Sequence, residues 1–465
     1  MVFNSWQFLI FLIIVLALDS VLQFKPTPRK WMLLIASYIF YGAWNWTYLA
    51  LIMASTVIDF EIGRRMPRSA SPRKLLVFSV VTNLGILAFF KYTNFLIEVF
   101  NSGLAVANAN FHIGALDIML PVGISFFTFQ ALSYTIDVYR KEIAPRQSLL
   151  DYALFIAFFP QLVAGPIVRA VEFFKELDFP KPPTMREINL GLVLIVLGLV
   201  KKMAIADSLS VVVDPVFNAP DAATSIDSLL AVYAYALQIY CDFSGYTDTA
   251  IGCALLFGFR FPDNFNYPYI ATSFQDFWRR WHMTLSRFLR DYLYIALGGN
   301  RFGPTRTQVN LMLTMVLGGL WHGASWNFVF WGFLHGSFLV LERGAQKIFP
   351  GFYASANPLV LVTRWAIVFN SICFSWIFFR AKSFSDALAV IENIGTLFSE
   401  SISWTPLMGF LMLFSVMHFT GNRYATKKRL ANAPSWLCGG ALGLALCVLW
   451  IYTPAEHKAF IYFQF

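Results

Sequence analysis

The chain has 465 residues, of which 58% are hydrophobic and 13% are charged. Soluble proteins carry about 25% charged residues, so the composition excludes a soluble globular protein and predicts a polytopic membrane protein. The formal net charge of +9 lies mainly in short loops, which indicates membrane orientation and not nucleic-acid binding.

Apolar runs recur from one end of the chain to the other, each about as long as the 20-residue helix that crosses a bilayer. The run at 8–22 follows a segment without a basic residue, so we expect a retained span and not a signal peptide. The predicted spans are 6–24, 31–58, 75–100, 119–139, 150–168, 188–213, 229–259, 309–342 as two helices, 360–380, 404–420 and 436–453.

The connections between these spans carry proline breakers, and none is long enough to hold a soluble domain. We therefore predict one all-α integral membrane domain over residues 1–465, with about eleven or more transmembrane helices. Two basic clusters, within 25–30 and 64–74, flank the single predicted span 31–58, which places one of them on the unexpected side. The arginine-rich segment 260–306 is the better indicator of the cytoplasmic side.

One predicted span carries a polar helical face. Gln238, Asp242, Tyr246 and Thr249 follow each other at helical spacing within QIYCDFSGYTDTAIG. Because polar groups buried without partners are costly, this face must meet water, a substrate or another polar face. A hydrogen-bond network between helices and a substrate site both remain open.

The segment 274–292 is predicted to be an amphipathic helix in or near the cytoplasmic interface, because aromatic residues recur on one side and arginines on the other. Gln275, Arg279, His282 and Ser286 follow each other at steps of four and three residues, so we expect them to line one flank of this helix. His282 would then border the apolar face.

His322 lies in an otherwise lipid-like run, GGLWHGASWNFVFWGFLHG, with glycines on either side. An isolated core histidine is usually only a satisfied hydrogen-bonding group, but an ionisable group inside a membrane run favours a functional role. Desolvation favours the neutral imidazole, which can accept a proton from a hydroxyl. His335 is a weaker candidate, because it falls on a different helical face.

Other routes to catalysis lack their sequence signatures. The chain has no HExxH motif or Cys/His cluster for a metal, no GxSxG nucleophile motif and no glycine-rich phosphate loop. Its five cysteines lie in apolar runs without paired spacing, so we expect core filling and no metal ligands. Proton transfer by histidine is the remaining chemistry.

Through these motifs and the ones quoted below, the sequence resembles the membrane-bound O-acyltransferases. Within that family it is most similar to the branch that contains the alginate O-acetyltransferases and the D-alanyl transfer proteins of teichoic acid modification. The resemblance covers essentially the whole chain. The motifs that carry it are LPVGISFFTFQALSYTIDVYR (120–140), FFPQLVAGPIVR (158–169), QIYCDFSGYTDTAIG (238–252), FWRRWHMTLSRFLRDYLYIALGGNR (277–301), WHGASWNFVFWG (321–332), SWIFFRA (375–381) and FIYFQF (460–465).

The resemblance implies a ring of transmembrane helices with a thinned centre, where funnels from both membrane faces meet near His322. It implies that His322 is the catalytic histidine and that His282 is the second histidine of the site. The donor would be acetyl-CoA or a carrier-bound thioester, reached from the cytoplasm and not tightly bound. The acceptor would be an exported polysaccharide beyond a bacterial cytoplasmic membrane, with an SGNH-type partner that finishes the transfer.

Other site roles follow from these expectations. Gln275, Arg279, Asp242 and Tyr246 are candidates for contacts with the substrates. Arg279 and Arg280 would pair with the phosphates of coenzyme A or anchor the helix at lipid headgroups.

A narrow polar passage at His322 is expected to be walled by Trp321, Trp326 and the backbone of Gly318 and Gly319. A leucine at Gly319 or Gly323 would then plug the passage, or else misfold the protein by disrupting close helix packing.

Two alternatives to polysaccharide acetylation stay open. The first is transfer of D-alanyl or another acyl group to a cell-wall polymer or a lipid. The second is a secondary transporter, in which Asp242, Lys201 and the histidines form a proton relay. No inverted repeat of the kind found in many transporters is visible in the sequence, which favours acyl transfer.

Overall fold

The computed structural model describes residues 1–107, 111–163, 165–395, 409, 418, 422–452 and 460–461. Within these residues the protein is helical, and they include no β-strand. A helix satisfies its own backbone hydrogen bonds, which the interior of a membrane requires. The prediction of an all-α integral membrane protein is confirmed. The predicted span 404–420 lies almost entirely outside the described residues, as does most of the FIYFQF motif.

The chain divides into two compact units. The first consists of Met1–Leu192 and Ala250–Pro262, and the second of Val193–Thr249 and Asp263–Phe465. All the predicted site residues belong to the second unit. The predicted single domain and the predicted ring of helices stay predictions.

Eight described α-helices lie in the part of the first unit that precedes Met185. They are α1 (Trp6–Leu22), α2 (Pro26–Gly42), α3 (Leu49–Arg65), α4 (Pro72–Val106), α5 (Ile124–Tyr139), α6 (Leu149–Ala157), α7 (Phe159–Leu162) and α8 (Ala170–Asp178).

The remaining described α-helices follow in chain order, and a π-helical stretch over Leu289–Tyr294 continues α12. They are α9 (Met185–Asn218), α10 (Ser225–Leu256), α11 (Phe274–Trp278), α12 (Met283–Phe288), α13 (Gly303–His322), α14 (Trp326–Ile348), α15 (Pro350–Ala354), α16 (Pro358–Arg380), α17 (Phe384–Gly395), α18 (Arg423–Ala431) and α19 (Ser435–Tyr452).

Four helical segments of the described chain are long and apolar enough to cross a membrane. They are Trp46–Arg68, Pro72–Val106, Met185–Asn218 and Pro358–Arg380. Arg423–Ala431 and Trp436–Ile451 add a fifth span if they form one crossing, bent by 112°. The protein is therefore a multi-pass membrane protein, and the predicted number of about eleven spans stays a prediction.

Two of the predicted spans are broken by local sequence. The span predicted at 31–58 is wrong as one helix, because α2 ends at Gly42 and Asn45 caps a short turn before α3. With two helices between them, the basic clusters of the first unit no longer need to lie on opposite sides. The span predicted at 150–168 is also wrong as one helix. Phe158 leaves the helical conformation, and Pro160 lies in the first turn of the next short helix, which begins at Phe159.

Polar groups on the spans of the first unit find partners within it. Asp59 of α3 is fully buried and accepts hydrogen bonds from Ser79 Oγ at 2.6 Å and Asn83 Nδ2 at 2.8 Å, both on α4. Ser79 Oγ also lies 3.1 Å from Thr135 Oγ1 of α5. This network joins three helices, as the cost of burying polar groups requires.

Glycines bring α13 and α14 of the second unit close together, and this pair confirms the two helices predicted within 309–342. A Cβ on Gly319 would overlap the carbonyl oxygen of Phe328 and stand 3.0 Å from the backbone of Gly332. A Cβ on Gly332 would in turn overlap the carbonyl oxygen of Met315. Both helices therefore depend on the absence of a side chain where they cross.

Candidate active site

The segment predicted as one amphipathic helix over 274–292 is broken in the middle. Helix α11 ends at Trp278, and His282 then takes the left-handed conformation, with φ 42° and ψ 53°, before α12 begins at Met283. A left-handed residue cannot continue a right-handed helix. The prediction of a continuous helix is therefore wrong, and the face on which Gln275, Arg279, His282 and Ser286 were expected does not exist as one surface.

Asn264 holds the break in place. Its backbone oxygen accepts a hydrogen bond from Met283 N at 2.9 Å, and its Oδ1 accepts one from Thr284 N at 3.2 Å. These are the first two amides of α12, which have no acceptor within the helix. Asn264 Oδ1 also lies 2.9 Å from Thr284 Oγ1 and 3.1 Å from His282 Nδ1. The loop before the helix thus caps the helix and holds the histidine.

His282 is fully buried, and this burial lowers the pKa of its imidazole to about 3. The ring packs edge-on against Phe243 with centroids 4.7 Å apart. Its Nε2 has no hydrogen-bond partner among the described residues. The imidazole is therefore neutral at physiological pH, and one of its nitrogens is not used by the fold.

His322 occupies the last turn of α13 and is 4% exposed. Its ring centroid lies 6.4 Å from that of His282. Three further rings surround it: Trp321 at 5.0 Å, Trp331 at 5.1 Å and Phe379 at 5.4 Å. The structure thus brings together the two histidines that the sequence placed 40 residues apart, in a largely aromatic environment.

The two tryptophans predicted to wall the passage differ in burial. Trp321 is buried and contacts both histidine rings, at 5.0 Å and 6.2 Å. Trp326 begins α14 with 60% of its surface exposed, whereas Trp331 is 1% exposed and packs on His322. Substrate contact for Trp326 stays a prediction.

The predicted effect of a leucine at Gly319 needs a correction. Gly319 faces the backbone of α14, and a Cβ on Gly323 would overlap the ring of Phe328. A larger residue at either position would therefore separate or distort packed elements. The misfolding outcome is favoured over a plugged passage.

A cavity of about 540 Å³, which we call the basic cavity, is lined in part by Met283, the residue that follows His282. Its lining includes four arginines and several apolar residues. The lining comprises Gln275, Trp278, Arg279, Met283, Ser286, Arg287, Leu289, Arg290, Tyr294, Leu311, Thr314, Met315, Leu339, Glu342, Arg343 and Gln346. Gln275, Arg279 and Ser286 therefore do share a surface, although not through one helix.

Some charged side chains of the basic cavity have hydrogen-bond or ion-pair partners within the protein, whereas that of Arg279 has none among the described residues. Glu342 accepts hydrogen bonds from the backbone amides of Phe274 at 2.9 Å and Gln275 at 3.2 Å, so its carboxylate caps α11. Arg290 pairs with Asp291 at 2.6 Å. Arg279 forms no ion pair or hydrogen bond through its guanidinium within the described residues. The cavity is thus positive and suited to an anion.

Arg279 and Arg280, which the sequence could not distinguish, have different surroundings. Arg280 pairs with Asp276 at 2.8 Å and donates to the backbone oxygen of Asn266 at 3.2 Å. Arg280 is therefore engaged by the fold, and Arg279 is the one that lines the cavity.

Asp242 and Tyr246, predicted to contact substrate, lie in a second buried group of polar residues. Asp242 Oδ1 is 2.6 Å from Lys202 Nζ, and its Oδ2 accepts a hydrogen bond from the backbone amide of Ile461 at 2.9 Å. Tyr246 stacks on Phe460 with centroids 4.7 Å apart. Through these contacts Asp242 and Tyr246 hold Phe460 and Ile461, the last described residues of the chain, against the helix. A substrate role for either residue stays a prediction.

Asp242 belongs to a larger set of buried or partly buried charges, which we call the ionic cluster. Each member has an opposite charge within ion-pair distance. The members are Lys201, Lys202, Asp207, Asp242, Asp248, Asp263, Arg423 and Lys427. Because Asp263 precedes Asn264, the ionic cluster also fixes the loop that holds His282.

Sequence reasoning missed Asn264, Thr284 and Trp331. The loop DNFN, just before the aromatic segment, was the available signal for Asn264, because asparagine favours capping positions. No local signal separates Trp331 from Trp326, since the choice depends on how two helices cross. Within the described part of the chain, no group of three or more His, Cys, Asp or Glu side chains could hold a metal ion.

Comparison with known proteins agrees with this arrangement. The model of the MBOAT, membrane-bound O-acyltransferase family, matches residues 140–384. A protein named "Probable alginate O-acetylase AlgI" from Azotobacter vinelandii is 41% identical over 82% of this chain and 76% of its own. The protein of the same name from Pseudomonas aeruginosa is 38% identical over 91% of this chain and 82% of its own.

A third relative carries a different name. The "Peptidoglycan O-acetyltransferase" of Helicobacter pylori is 39% identical over 79% of this chain and 73% of its own. The match of the family model and these identities agree with the motifs and with the paired histidines. This protein is therefore an acyltransferase of the membrane, and it belongs to the membrane-bound O-acyltransferase family.

Proposed function

We propose that this protein is a membrane O-acetyltransferase that takes acetyl from a cytoplasmic thioester and passes it across the membrane for O-acetylation of an exported polysaccharide. The observation that carries the proposal is the pair of buried imidazoles, whose ring centroids lie 6.4 Å apart, together with a basic cavity whose lining includes Met283, next to His282 in the chain. The three relatives described above are all named as acetylating enzymes. Transfer of D-alanyl or of longer acyl groups is therefore not favoured.

The donor is proposed to be acetyl-CoA, with its phosphates in the basic cavity. Guanidinium groups match phosphate oxygens through paired hydrogen bonds, and the guanidinium of Arg279 has no partner among the described residues. Met283, Leu289 and Met315 provide apolar surface for the pantetheine chain. A carrier-bound thioester has a phosphate and a pantetheine chain in common with acetyl-CoA. The experiment described below distinguishes the two donors.

In the proposed reaction an acceptor hydroxyl attacks the thioester carbonyl. His322 accepts the hydroxyl proton as the new C–O bond forms, and the C–S bond then breaks. The proton passes from the imidazole to the departing thiolate, so the histidine ends neutral. Alternatively, the His322 nitrogen carries the acetyl group for a short time before the hydroxyl accepts it. In this second route His282, whose ring centroid lies 6.4 Å from that of His322, takes the hydroxyl proton.

The acceptor is proposed to be reached from the far side of a bacterial cytoplasmic membrane. Neither a CoA thioester nor an exported polysaccharide crosses lipid, so the acetyl group is the part that must pass. We further propose an SGNH-type partner outside the membrane, which accepts acetyl and delivers it to the polymer.

The test uses proteoliposomes and acetyl-CoA labelled with ¹⁴C in the acetyl group and with ³H in the nucleotide. The donor is added outside, and an SGNH-type protein with its oligosaccharide is trapped inside. We expect ¹⁴C on the trapped acceptor, ³H only outside and one free thiol per acetyl group moved. Entry of ³H would indicate a transporter, and absence of ¹⁴C inside with intact protein would contradict acetyl transfer. Acetyl moved only from a carrier-bound thioester would replace acetyl-CoA as the donor.

A further inference from the structure

We infer that Asn264 is a positioning residue for His282: its side chain fixes the imidazole with a proton on Nδ1 and leaves Nε2 able to accept one from the reacting hydroxyl. The inference rests on the proposed function, because it assumes that His282 takes part in the transfer. It adds a residue and a tautomer that neither the motifs nor the comparisons assign.

The hydrogen bonds around Asn264 determine which of its side-chain atoms faces the histidine. Thr284 N lies 3.2 Å from Asn264 Oδ1, and a backbone amide can only donate. The atom facing it must therefore be the oxygen and not the nitrogen of the amide. The same oxygen lies 3.1 Å from His282 Nδ1. Because this oxygen only accepts, His282 Nδ1 must carry the proton.

A neutral imidazole with its proton on Nδ1 has its lone pair on Nε2. His282 Nε2 is buried and has no hydrogen-bond partner among the described residues. Asn264 is itself fully buried, and its Nδ2 likewise has no partner in the described part of the chain. Buried polar atoms are normally paired, so an unpaired atom on each of these two hydrogen-bonded side chains indicates a place kept for another molecule.

Asn264 is held firmly enough to direct the ring. Its backbone oxygen and Oδ1 cap α12, as described above. The preceding residue, Asp263, pairs with Arg423 at 2.7 Å. Two residues later, Asn266 N donates to Arg280 O at 2.9 Å. The loop is therefore fastened on both sides of the residue that orients His282.

In the route in which a His322 nitrogen has taken the acetyl group and the thiol has left with the proton of that imidazole, His282 Nε2 takes the proton of the acceptor hydroxyl while the hydroxyl oxygen bonds to the acetyl carbon. The bond from that carbon to His322 then breaks. The His282 imidazolium gives its proton to the departing His322 nitrogen, so both imidazoles end neutral. Asn264 gains and loses nothing; its oxygen keeps the Nδ1 hydrogen bond throughout. The rings packed on His282 in the described structure are Phe243, Trp321 and His322, so His322 is the titratable neighbour.

The experiment replaces the amide by a carboxylate of the same shape, Asn264→Asp. Aspartate can accept the same hydrogen bonds, so the cap of α12 is kept. Its charge stabilises the imidazolium and raises the pKa of His282 from about 3 toward the usual range. Below the new pKa Nε2 is already protonated. Transfer by Asn264→Asp should therefore fall about tenfold per pH unit on the acid side, while wild-type protein shows no such limb.

Asn266→Asp is the matched control. It adds the same charge to the same loop, where its oxygen faces the backbone amide of Arg423 at 3.1 Å and not His282. We expect the pH profile of this variant to be that of wild type. A second readout does not need activity: ¹⁵N spectra of histidine-labelled protein should show His282 protonated on Nδ1, and Asn264→Ala should give a mixture of tautomers.

Three results would overturn the inference. The first is an Asn264→Asp profile identical to wild type while His282→Ala is inactive, which would leave the proposed function standing without Asn264. The second is a proton on His282 Nε2 in the wild-type spectrum. The third is full transfer by His282→Ala, which would remove His282 from the proposed function as well.

Discussion

The ionic cluster and the pair of histidines are both buried in the second unit, yet they use polar groups in opposite ways. Every member of the ionic cluster has an opposite charge beside it; for example, Lys202 Nζ lies 2.6 Å from Asp242 and 2.8 Å from Asp207. His282 carries no charge at neutral pH and keeps one nitrogen without a partner among the described residues. Both regions contain polar groups that are expensive to bury.

The difference separates structural from chemical use of buried polarity. Paired charges are satisfied by each other, and breaking such a pair leaves an uncompensated charge. The neutral imidazole of His282, whose Nε2 has no partner in the described part of the chain, stabilises little but can take up a proton at once. We therefore assign stability to the ionic cluster and the reaction to the histidines, although the sequence drew attention to both.

Loss of His322 tests the chemical side and should have the largest effect. His322→Ala is expected to lower acetyl transfer by about 10³-fold or more, because no other group replaces the imidazole. Its thermal midpoint in detergent should change little. His112→Ala, at an exposed position of the first unit, is the control. Normal transfer by the His322 variant would remove this residue from the mechanism.

Loss of Asp242 tests the structural side. Asp242→Asn should cost about 3 kcal/mol of folding stability, toward the lower end of the range for buried ion pairs, since Lys202 keeps Asp207. Transfer per folded molecule should stay close to wild type. Glu61→Gln breaks a more exposed pair with Arg65 and should cost less than about 1 kcal/mol. Thermal unfolding with a parallel transfer assay measures both quantities, and inactive but stable Asp242→Asn would support the substrate role predicted from the sequence.

Two neighbouring glycines test whether the backbone near His322 serves packing. Gly319→Ala should cost about 1–3 kcal/mol, because the new Cβ overlaps backbone of α14. Gly318→Ala is the matched change, and its Cβ would meet only the tip of Leu289 at 3.1 Å. We expect a clearly higher thermal midpoint for the Gly318 variant. Equal midpoints, with transfer lost only in Gly319→Ala, would restore the plugged passage.

The smallest expected effect is on donor binding. Arg279→Gln should raise the KM for acetyl-CoA about tenfold with little change in kcat, since the lost contact is present both before and during the reaction. Arg306→Gln removes the same charge from an exposed position on α13 and should leave KM unchanged. An equal rise in both variants would mean that only the general positive potential matters and not the basic cavity.

Hydropathy was sufficient for helices that are apolar along their length. The predicted spans 75–100, 188–213 and 360–380 fall within single observed helices, and the span 229–259 overruns the end of its helix at Leu256 by three residues. It failed where a few residues interrupt an apolar run, as at Asn45 and Phe158. Average hydropathy is insensitive to such local breaks.

The site was predicted in its residues but not in its geometry. The motifs placed His282 and His322 in one site, and the structure does bring their rings together. The break at His282 depends on Asn264, which lies 18 residues earlier in the chain. Helical periodicity contains no information about such a distant acceptor, so the expected continuous helix was wrong. The choice between Arg279 and Arg280 likewise depended on Asp276 and on the backbone of Asn266.

The central claim is that the histidines perform the chemistry and that the ionic cluster holds the fold. It is tested most directly by measuring acetyl transfer per folded molecule and the thermal midpoint on the same preparations of His322→Ala and Asp242→Asn. We predict that His322→Ala keeps its midpoint and loses transfer, while Asp242→Asn loses stability and keeps transfer per folded molecule. The reverse pattern, with an active His322→Ala and a stable but inactive Asp242→Asn, would contradict the account.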